Sequence, residues 1–141
     1  MHTNTAATVY NQYRNPDTRG VAWHPTILRF VHWEASRGAN IITSGLASAD
    51  GLLVLIPFAV DAGGKTYLPP LQYAALPLEQ VSHHWTMTEG TDRIIKGDMD
   101  NFDALPDIKP IVAMDHCYTI TAVDIFDFGR EHMRHWEVYG K

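Results

Sequence analysis

The feature of this sequence that most constrains its fold is a series of short segments rich in β-branched and aromatic residues, separated by turn-forming residues. Such segments favour β-strands, and the Pro, Gly, Asn and Asp residues between them favour turns. The predicted strands are 8–10, 27–33, 52–58, 80–88, 93–96, 117–128 and 135–139. Six or seven short strands predict a mostly β fold, either a small antiparallel β-barrel or a sandwich.

Alternation along a strand places every second side chain on the same face. The side chains predicted to share a face are Ile27, Val31 and Trp33 in the second strand, with Phe30 on the opposite face; Tyr118, Ile120, Ala122 and Phe126 in 117–128; and Trp136 and Val138 in 135–139.

The segments between the strands predict long irregular loops and at most a short helix. Residues 61–77 contain three prolines and are predicted to be an irregular loop. Glu89-Gly90-Thr91-Asp92 is typical of a hairpin turn, joining 80–88 to 93–96. A helical turn is predicted around residues 100–105, with Asp98 or Asp100 as its cap.

A length of 141 residues predicts a single β domain, residues 1–141, of which 1–18 could extend as an arm. With only 19% charged residues, part of the surface is expected to be covered by partners. The net charge of −5 gives no electrostatic basis for general nucleic-acid binding.

The lone cysteine, Cys117, cannot form an internal disulfide, which favours a reducing compartment. The polar start does not resemble a signal peptide, and the longest apolar run, 52–60, is too short to span a bilayer. We therefore expect a soluble protein that is cytoplasmic when synthesised and does not enter a membrane.

Residues 59–66 match the phosphate-binding loop G-x-x-x-x-G-K-[ST] except at the first position, which is Ala59. Phosphate binding requires a helix that begins at the lysine, here Lys65. Pro69 and Pro70 follow too closely for that helix. A glycine-rich turn is the preferred interpretation.

Eight histidines and an acidic stretch suggest a metal site, but their spacing does not support one. Zinc sites combine three or four ligands at regular spacing, and adjacent strand residues point to opposite faces. The acidic stretch lacks the central glycine and terminal glutamate of a calcium loop. The residues considered are His83, His84, His116, His132, His135, Asp98, Asp100, Asp103 and Asp107.

No arrangement for nucleophilic catalysis stands out. None of the serines considered (Ser36, Ser44, Ser48 and Ser82) lies in a Gly-x-Ser-x-Gly turn, and Cys117 beside His116 is typical of a small core residue. We therefore expect no catalytic, cofactor-binding or metal-binding residue, and no enzymatic activity. The tryptophans, Trp23, Trp33, Trp85 and Trp136, are expected in the core, with partner contact by one or two of them as the alternative.

Several short motifs occur in an order that resembles one family. They are Val9-Tyr10-Asn11, Val31-His32-Trp33, Ile56-Pro57-Phe58, 63–70, 85–90, 94–97, 119–123 and 135–141. Together they resemble the minor capsid, or structural, proteins of tailed phages and prophages of Gram-positive bacteria, which are similar to head-completion (stopper) components. The pattern departs from that family in residues 100–115, where the usual charged helical stretch is shortened and apolar.

This resemblance implies a β-barrel subunit of a ring between portal and tail. The implied partners are copies of itself, portal or adaptor proteins and tail-completion proteins, with passive contact to DNA in the lumen. The implied location is the virion, and the host cytoplasm before assembly. Two alternatives stay open: a tail-completion protein at the same junction, and a host β-barrel enzyme that binds a metal or ligand.

Overall fold

The computed structural model describes residues 3–37, 50–99 and 103–141, and strands dominate these ranges. The strands are β1 (Thr5–Arg14), β2 (Val21–Arg37), β3 (Asp50–Pro57), β4 (Thr66–Tyr67), β5 (His84–Trp85), β6 (Arg93–Lys96), β7 (Cys117–Phe126) and β8 (His135–Gly140). The helices are α1 (Pro70–Ala74), α2 (Leu78–Val81) and α3 (Lys109–Val112), with a 3-10 turn at Glu131–Met133.

Six antiparallel strands close into a barrel in the order β1-β2-β3-β8-β7-β6. This confirms the predicted small antiparallel barrel. Strand β8 completes it by pairing with β3 on one side and β7 on the other. The segment that could extend as an arm, residues 1–18, contains β1, which pairs with both β2 and β6. None of the helices in the described ranges is long and apolar enough to cross a membrane.

The barrel interior is filled by alternating apolar residues from all six strands. Its fully buried members include Val9, Leu28, Val31, Val54, Ile56, Ile94, Ile120 and Val138. Trp33 and Trp136 belong to the same cluster, as predicted. Burial of this apolar surface is the main stabilising contribution to the fold.

A bulge in β2 changes which residues face the interior. The pairing with β1 is irregular between Thr5 and Ala7, and Phe30 has a left-handed backbone with φ of 67°. Because the bulge adds a residue, Leu28 and Val31 share the inner face. The prediction that Ile27 joins Val31 and Trp33 is therefore wrong, although Phe30 does lie outside, at 68% exposure.

Strand β7 contains a second irregularity, where its register with β8 shifts between Ile120 and Ala122. Tyr118 and Ile120 face the core as predicted, but beyond the shift Val123 packs against it. The predicted placement of Ala122 and Phe126 on that face is wrong, because a one-residue shift reverses the alternation.

The connection between β3 and β6 differs most from prediction. Residues 80–88 do not form a hairpin with 93–96, since β5 pairs in parallel with β4, and β6 pairs with β1 and β7. The predicted irregular loop, 61–77, contains β4 and α1. Pro70 begins α1, a position where its missing N–H costs no hydrogen bond. Trp85 and Met87 from this connection enter the core.

Two smaller clusters lie outside the main core. Tyr10, Trp23, Ile95 and Ile111 pack where α3 covers the barrel wall, and Tyr13, Tyr73 and Val81 pack beneath α1 and α2. The helical turn predicted around 100–105 includes residues 100–102, which lie outside the described residues. Leu105 forms a β-bridge with Trp23, and the helix of this region is α3.

Candidate interaction surface

The chain from Ile125 to Arg134, which we call the β7–β8 tip, exposes three large apolar side chains. Ile125 is 59% exposed, Phe128 68% and Met133 56%. Of the eight exposed large hydrophobic side chains in the described ranges, three therefore lie within nine consecutive residues. Large apolar side chains exposed on a surface are a candidate protein-interaction site.

Contacts at its base connect the tip to the barrel. The Phe126 ring stacks on the His135 ring at 5.0 Å and meets Phe128 edge-on at 5.8 Å. The Arg134 Nε lies 3.4 Å from the Asp127 carboxylate, and the Arg134 carbonyl accepts a 3.0 Å hydrogen bond from the Phe58 amide. The apolar side chains are therefore presented by a hairpin that is anchored to the barrel.

The tip and α3 lie at opposite ends of β7. Cys117, at the start of β7, packs beside Ile111 of α3, whereas Phe126 ends the strand at the tip. A ten-residue strand spans about 33 Å. Val112 and Met114, which are 48% and 44% exposed, thus form a separate apolar surface far from the tip.

A row of polar side chains follows the tip along the outer face of β8. The His135 Nε2 lies 3.3 Å from the Glu137 carboxylate, which also accepts a 3.1 Å hydrogen bond from the Tyr139 hydroxyl. Burial, then the neighbouring Glu137 and Asp124 charges, raise the pKa of Tyr139. The phenol therefore stays protonated and continues to donate at neutral pH.

A buried polar network links β1 to the connection before β6. The Asn11 side-chain amide donates to the Thr86 carbonyl at 2.6 Å and to the Asp92 carboxylate at 2.7 Å. The amides of Gln12 and Thr88 donate to the same carboxylate at 3.0 and 2.9 Å. Burial raises the pKa of Asp92, although the hydrogen bonds it accepts oppose that rise.

Lys65, the lysine of the phosphate-loop-like sequence, is used within the fold. Gly63 and Gly64 both have positive φ and form the predicted turn, and a strand rather than a helix follows. The Lys65 ammonium donates to the Pro25 carbonyl at 2.6 Å and to the Thr26 hydroxyl at 3.0 Å. Burial lowers the pKa of Lys65. Both donor contacts are therefore structural.

The histidines and aspartates considered for metal binding are dispersed. In the described ranges, no three His, Cys, Asp or Glu side chains are grouped to hold a metal ion. Asp98 forms an ion pair with Arg29 at 3.2 Å, and Asp107 accepts a hydrogen bond from the Lys109 amide. Asp100, Ser44 and Ser48 lie outside the described residues.

Burial raises the pKa of the Cys117 thiol, although the nearby Arg93 charge opposes that rise. The raised pKa disfavours the reactive thiolate form.

All four tryptophans are at most 7% exposed, so their indole rings are core residues. The exposed aromatic residues of the described ranges are instead Phe30 and Phe128. Sequence reasoning missed the tip because 117–128 was treated as one continuous strand. The signal that could have found it is Phe128-Gly129, where a large apolar residue meets a glycine of positive φ and the strand pattern stops.

Among curated proteins and among solved structures, none shows significant similarity to the chain. One protein-family model matches residues 2–141, which is nearly the whole length. The chain belongs to the family described as "Family of unknown function (DUF6751)".

Proposed function

We propose that this protein is a virion structural protein, a head–tail connector or head-completion (stopper-like) subunit of a tailed phage or prophage. The proposal rests on the exposure of three apolar side chains, Ile125, Phe128 and Met133, on the β7–β8 tip. Aromatic residues and methionine are enriched in protein interfaces. The tip docks on a neighbouring virion protein.

The closed barrel supports association through side chains and loops. Its six strands close on one another, so no strand of this sheet lacks a neighbour on either side. A rigid barrel that presents a hairpin is a suitable subunit for a ring. In this role its neighbours are copies of itself, a portal or adaptor protein and a tail-completion protein.

The use of the chain's reactive side chains favours a structural role over an enzymatic one. Asp92 has no exposed surface, and the Lys65 ammonium binds a carbonyl and a hydroxyl of β2. Both groups are engaged in holding the barrel together. In the proposed role the protein resides in the virion, and in the host cytoplasm before assembly.

Disruption of the gene in the phage or prophage that carries it tests this function. Electron microscopy of the lysate should show DNA-filled heads and complete tails that are not joined. Joined particles of normal infectivity would overturn the proposal, and so would normal heads with defective tails, which indicate a tail-completion protein. We also expect the gene to lie between the capsid genes and the tail genes.

Complementation then tests the tip itself. A Phe128→Ser copy should fail to restore joined particles, because it removes an exposed aromatic contact without disturbing the core. The matched control is Met114→Ser, which changes an exposed apolar side chain at the other end of β7 and should restore them. Equal rescue by both variants would show that the tip is not the docking surface.

The ring forms only on a portal-like template. Stable protein interfaces bury about 1,200–2,000 Å² in total, more than three side chains supply. A larger interface would have to order further loop residues, and each residue fixed costs about 1–2 kcal/mol of backbone conformational entropy. Light scattering of the purified protein should therefore report a monomer or small oligomer. A closed ring in dilute solution would contradict this.

A further inference from the structure

The tripeptide His-Trp-Glu occurs twice, and the two copies flank the same strand. His32-Trp33-Glu34 lies on β2 and His135-Trp136-Glu137 on β8, each paired with β3. Both tryptophans enter the barrel core, so the histidine and glutamate of each copy face outward. In both copies the histidine Nε2 lies close to a glutamate oxygen, at 3.1 Å in β2 and 3.3 Å in β8.

The two histidines differ at their other ring nitrogen. The Nδ1 of His135 lies 2.8 Å from the Met133 carbonyl oxygen, at the end of the tip. The Nδ1 of His32 is buried and has no hydrogen-bond partner in the described part of the chain. The two identical tripeptides therefore differ in whether the histidine Nδ1 has a hydrogen-bonding partner.

Ring protonation decides how many of these contacts are hydrogen bonds. A carbonyl and a carboxylate only accept, and a neutral imidazole has a single N–H. Both contacts of His135 are hydrogen bonds only when the ring is a doubly protonated imidazolium. A neutral His32 already satisfies Glu34, and a second proton would add a buried N–H without an acceptor.

We propose that His135 is a charge-dependent clamp on the β7–β8 tip. As an imidazolium it ties the Met133 carbonyl to Glu137 of β8; as a neutral ring it releases one of the two. Histidine changes its charge between about pH 5 and 8, so the tip is held more firmly at the acidic end of that range. The consequence for docking rests on the proposed function, because it regulates that same surface.

The groups that face His135 come from strands β3, β7 and β8. On β8 they are Glu137 and the uncharged Tyr139, and from β7 come Asp124, the register partner of Glu137, and the stacked Phe126. Beyond β7, Asp127 is neutralised by Arg134. Strand β3 presents the apolar Pro57 and Leu55. Apart from the Asp127–Arg134 pair, the charged groups in this set are therefore the two carboxylates, Glu137 and Asp124.

Hydrogen exchange of the purified protein tests the clamp without any partner. The Phe58, Met133 and Arg134 amides close the base of the tip. After correction for intrinsic exchange, their protection should be about fivefold greater at pH 5.5 than at pH 8, the effect of one ordinary hydrogen bond. In His135→Gln, which cannot be charged, this difference should disappear. His32→Gln is the matched control and should retain it.

Three outcomes overturn the clamp: no pH difference in the wild type, a difference that persists in His135→Gln, or its loss in His32→Gln. A long-range proton–nitrogen spectrum of the wild-type imidazoles adds a measurement that needs no variant. At pH 5.5 it should show both His135 nitrogens protonated, and a neutral His135 at that pH would also overturn the proposal. Because neither test requires a virion, the clamp can stand or fail separately from the proposed function.

Discussion

The side-chain amide of Asn11 donates a 2.7 Å hydrogen bond to the Asp92 carboxylate, and neither residue has any exposed surface. Asn11 also accepts from the Thr86 amide and donates to the Thr86 carbonyl. A single side chain on β1 thereby fixes both ends of the segment from Thr86 to Asp92. This segment carries Met87 into the core, so the polar network and the apolar packing depend on each other.

Replacing Asn11 with Ala should lower the free energy of unfolding by at least about 2 kcal/mol, since it removes one hydrogen bond to the buried Asp92 carboxylate and both Asn11 hydrogen bonds to the Thr86 backbone. Urea unfolding measures the loss. The control is Gln12→Ala, because the Gln12 side chain is exposed and only its backbone amide binds Asp92. Equal midpoints for both variants would show that the network contributes nothing.

The raised pKa of Asp92 predicts a specific pH dependence. The native state holds this proton more tightly than the unfolded chain, whose ordinary aspartate value is 3.8. The stabilisation is therefore complete below pH 3.8 and is lost as the pH rises through the raised native pKa. The Asp92→Asn variant has no carboxyl group to titrate at this position. The stability of the wild type relative to this variant, measured by urea unfolding, should fall as the pH rises above 3.8. A constant or rising difference would contradict the assignment.

Trp136→Ala should destabilise the protein by about 3–5 kcal/mol, the usual cost of truncating a buried aromatic residue. The Trp136 ring is 6% exposed and lies within 4.5–5.4 Å of the rings of Phe58, Tyr67 and Trp85. Its removal leaves a cavity beside three aromatic side chains. Phe128→Ala, which truncates an exposed aromatic residue, should leave the urea midpoint nearly unchanged; a similar loss in both would place Phe128 in the core.

Phe30→Gly should stabilise the protein, by about 1 kcal/mol. Phe30 adopts a φ of 67°, which costs a non-glycine residue about 1–2 kcal/mol, and its exposed side chain contributes little packing. Thermal unfolding measures the change. Phe128→Gly is a matched control, since that phenylalanine is equally exposed and has no positive φ. A gain in both variants would exclude backbone strain as its cause.

Lys65→Met should lower stability by about 2 kcal/mol, because it removes a charged donor from two acceptors while keeping the apolar stem. Lys96→Met, at an exposed position, should have no comparable effect.

Magnesium and ATP should not shift the unfolding midpoint of the wild type or of Lys65→Ala. Micromolar nucleotide binding that Lys65→Ala abolishes would show that the turn binds phosphate after all.

Local patterns predicted the barrel but not its irregularities. Alternation correctly placed Val31, Trp33, Ile120 and Trp136 inside, because each is flanked by strand residues of the expected period. It failed at Ile27 and Ala122, each of which lies on the far side of a bulge. A bulge depends on contacts distant in sequence, here the Arg29 amide on the Asp61 carbonyl, so a local pattern does not reveal it.

The hairpin predicted for 80–96 failed for a related reason. Glu89 to Asp92 do form a turn, but β6 finds its partners in β1 and β7, far away along the chain. The tip and the two His-Trp-Glu copies were visible as residues in the sequence. Their roles were not, because exposure and the surroundings of each imidazole are set by the closed barrel.

The placement of β8 between β3 and β7 makes the order of synthesis important. β3 ends at Pro57, and its second neighbour begins at His135, about 80 residues later. At roughly 5–20 residues per second, the ribosome needs about 4–16 s to produce that neighbour. Until then, the apolar run from Leu52 to Ile56 has one side of its backbone unpaired. The unpaired side of β3 therefore exposes the nascent chain to aggregation in this interval, and a slower ribosome or an early stop before β8 would prolong that exposure.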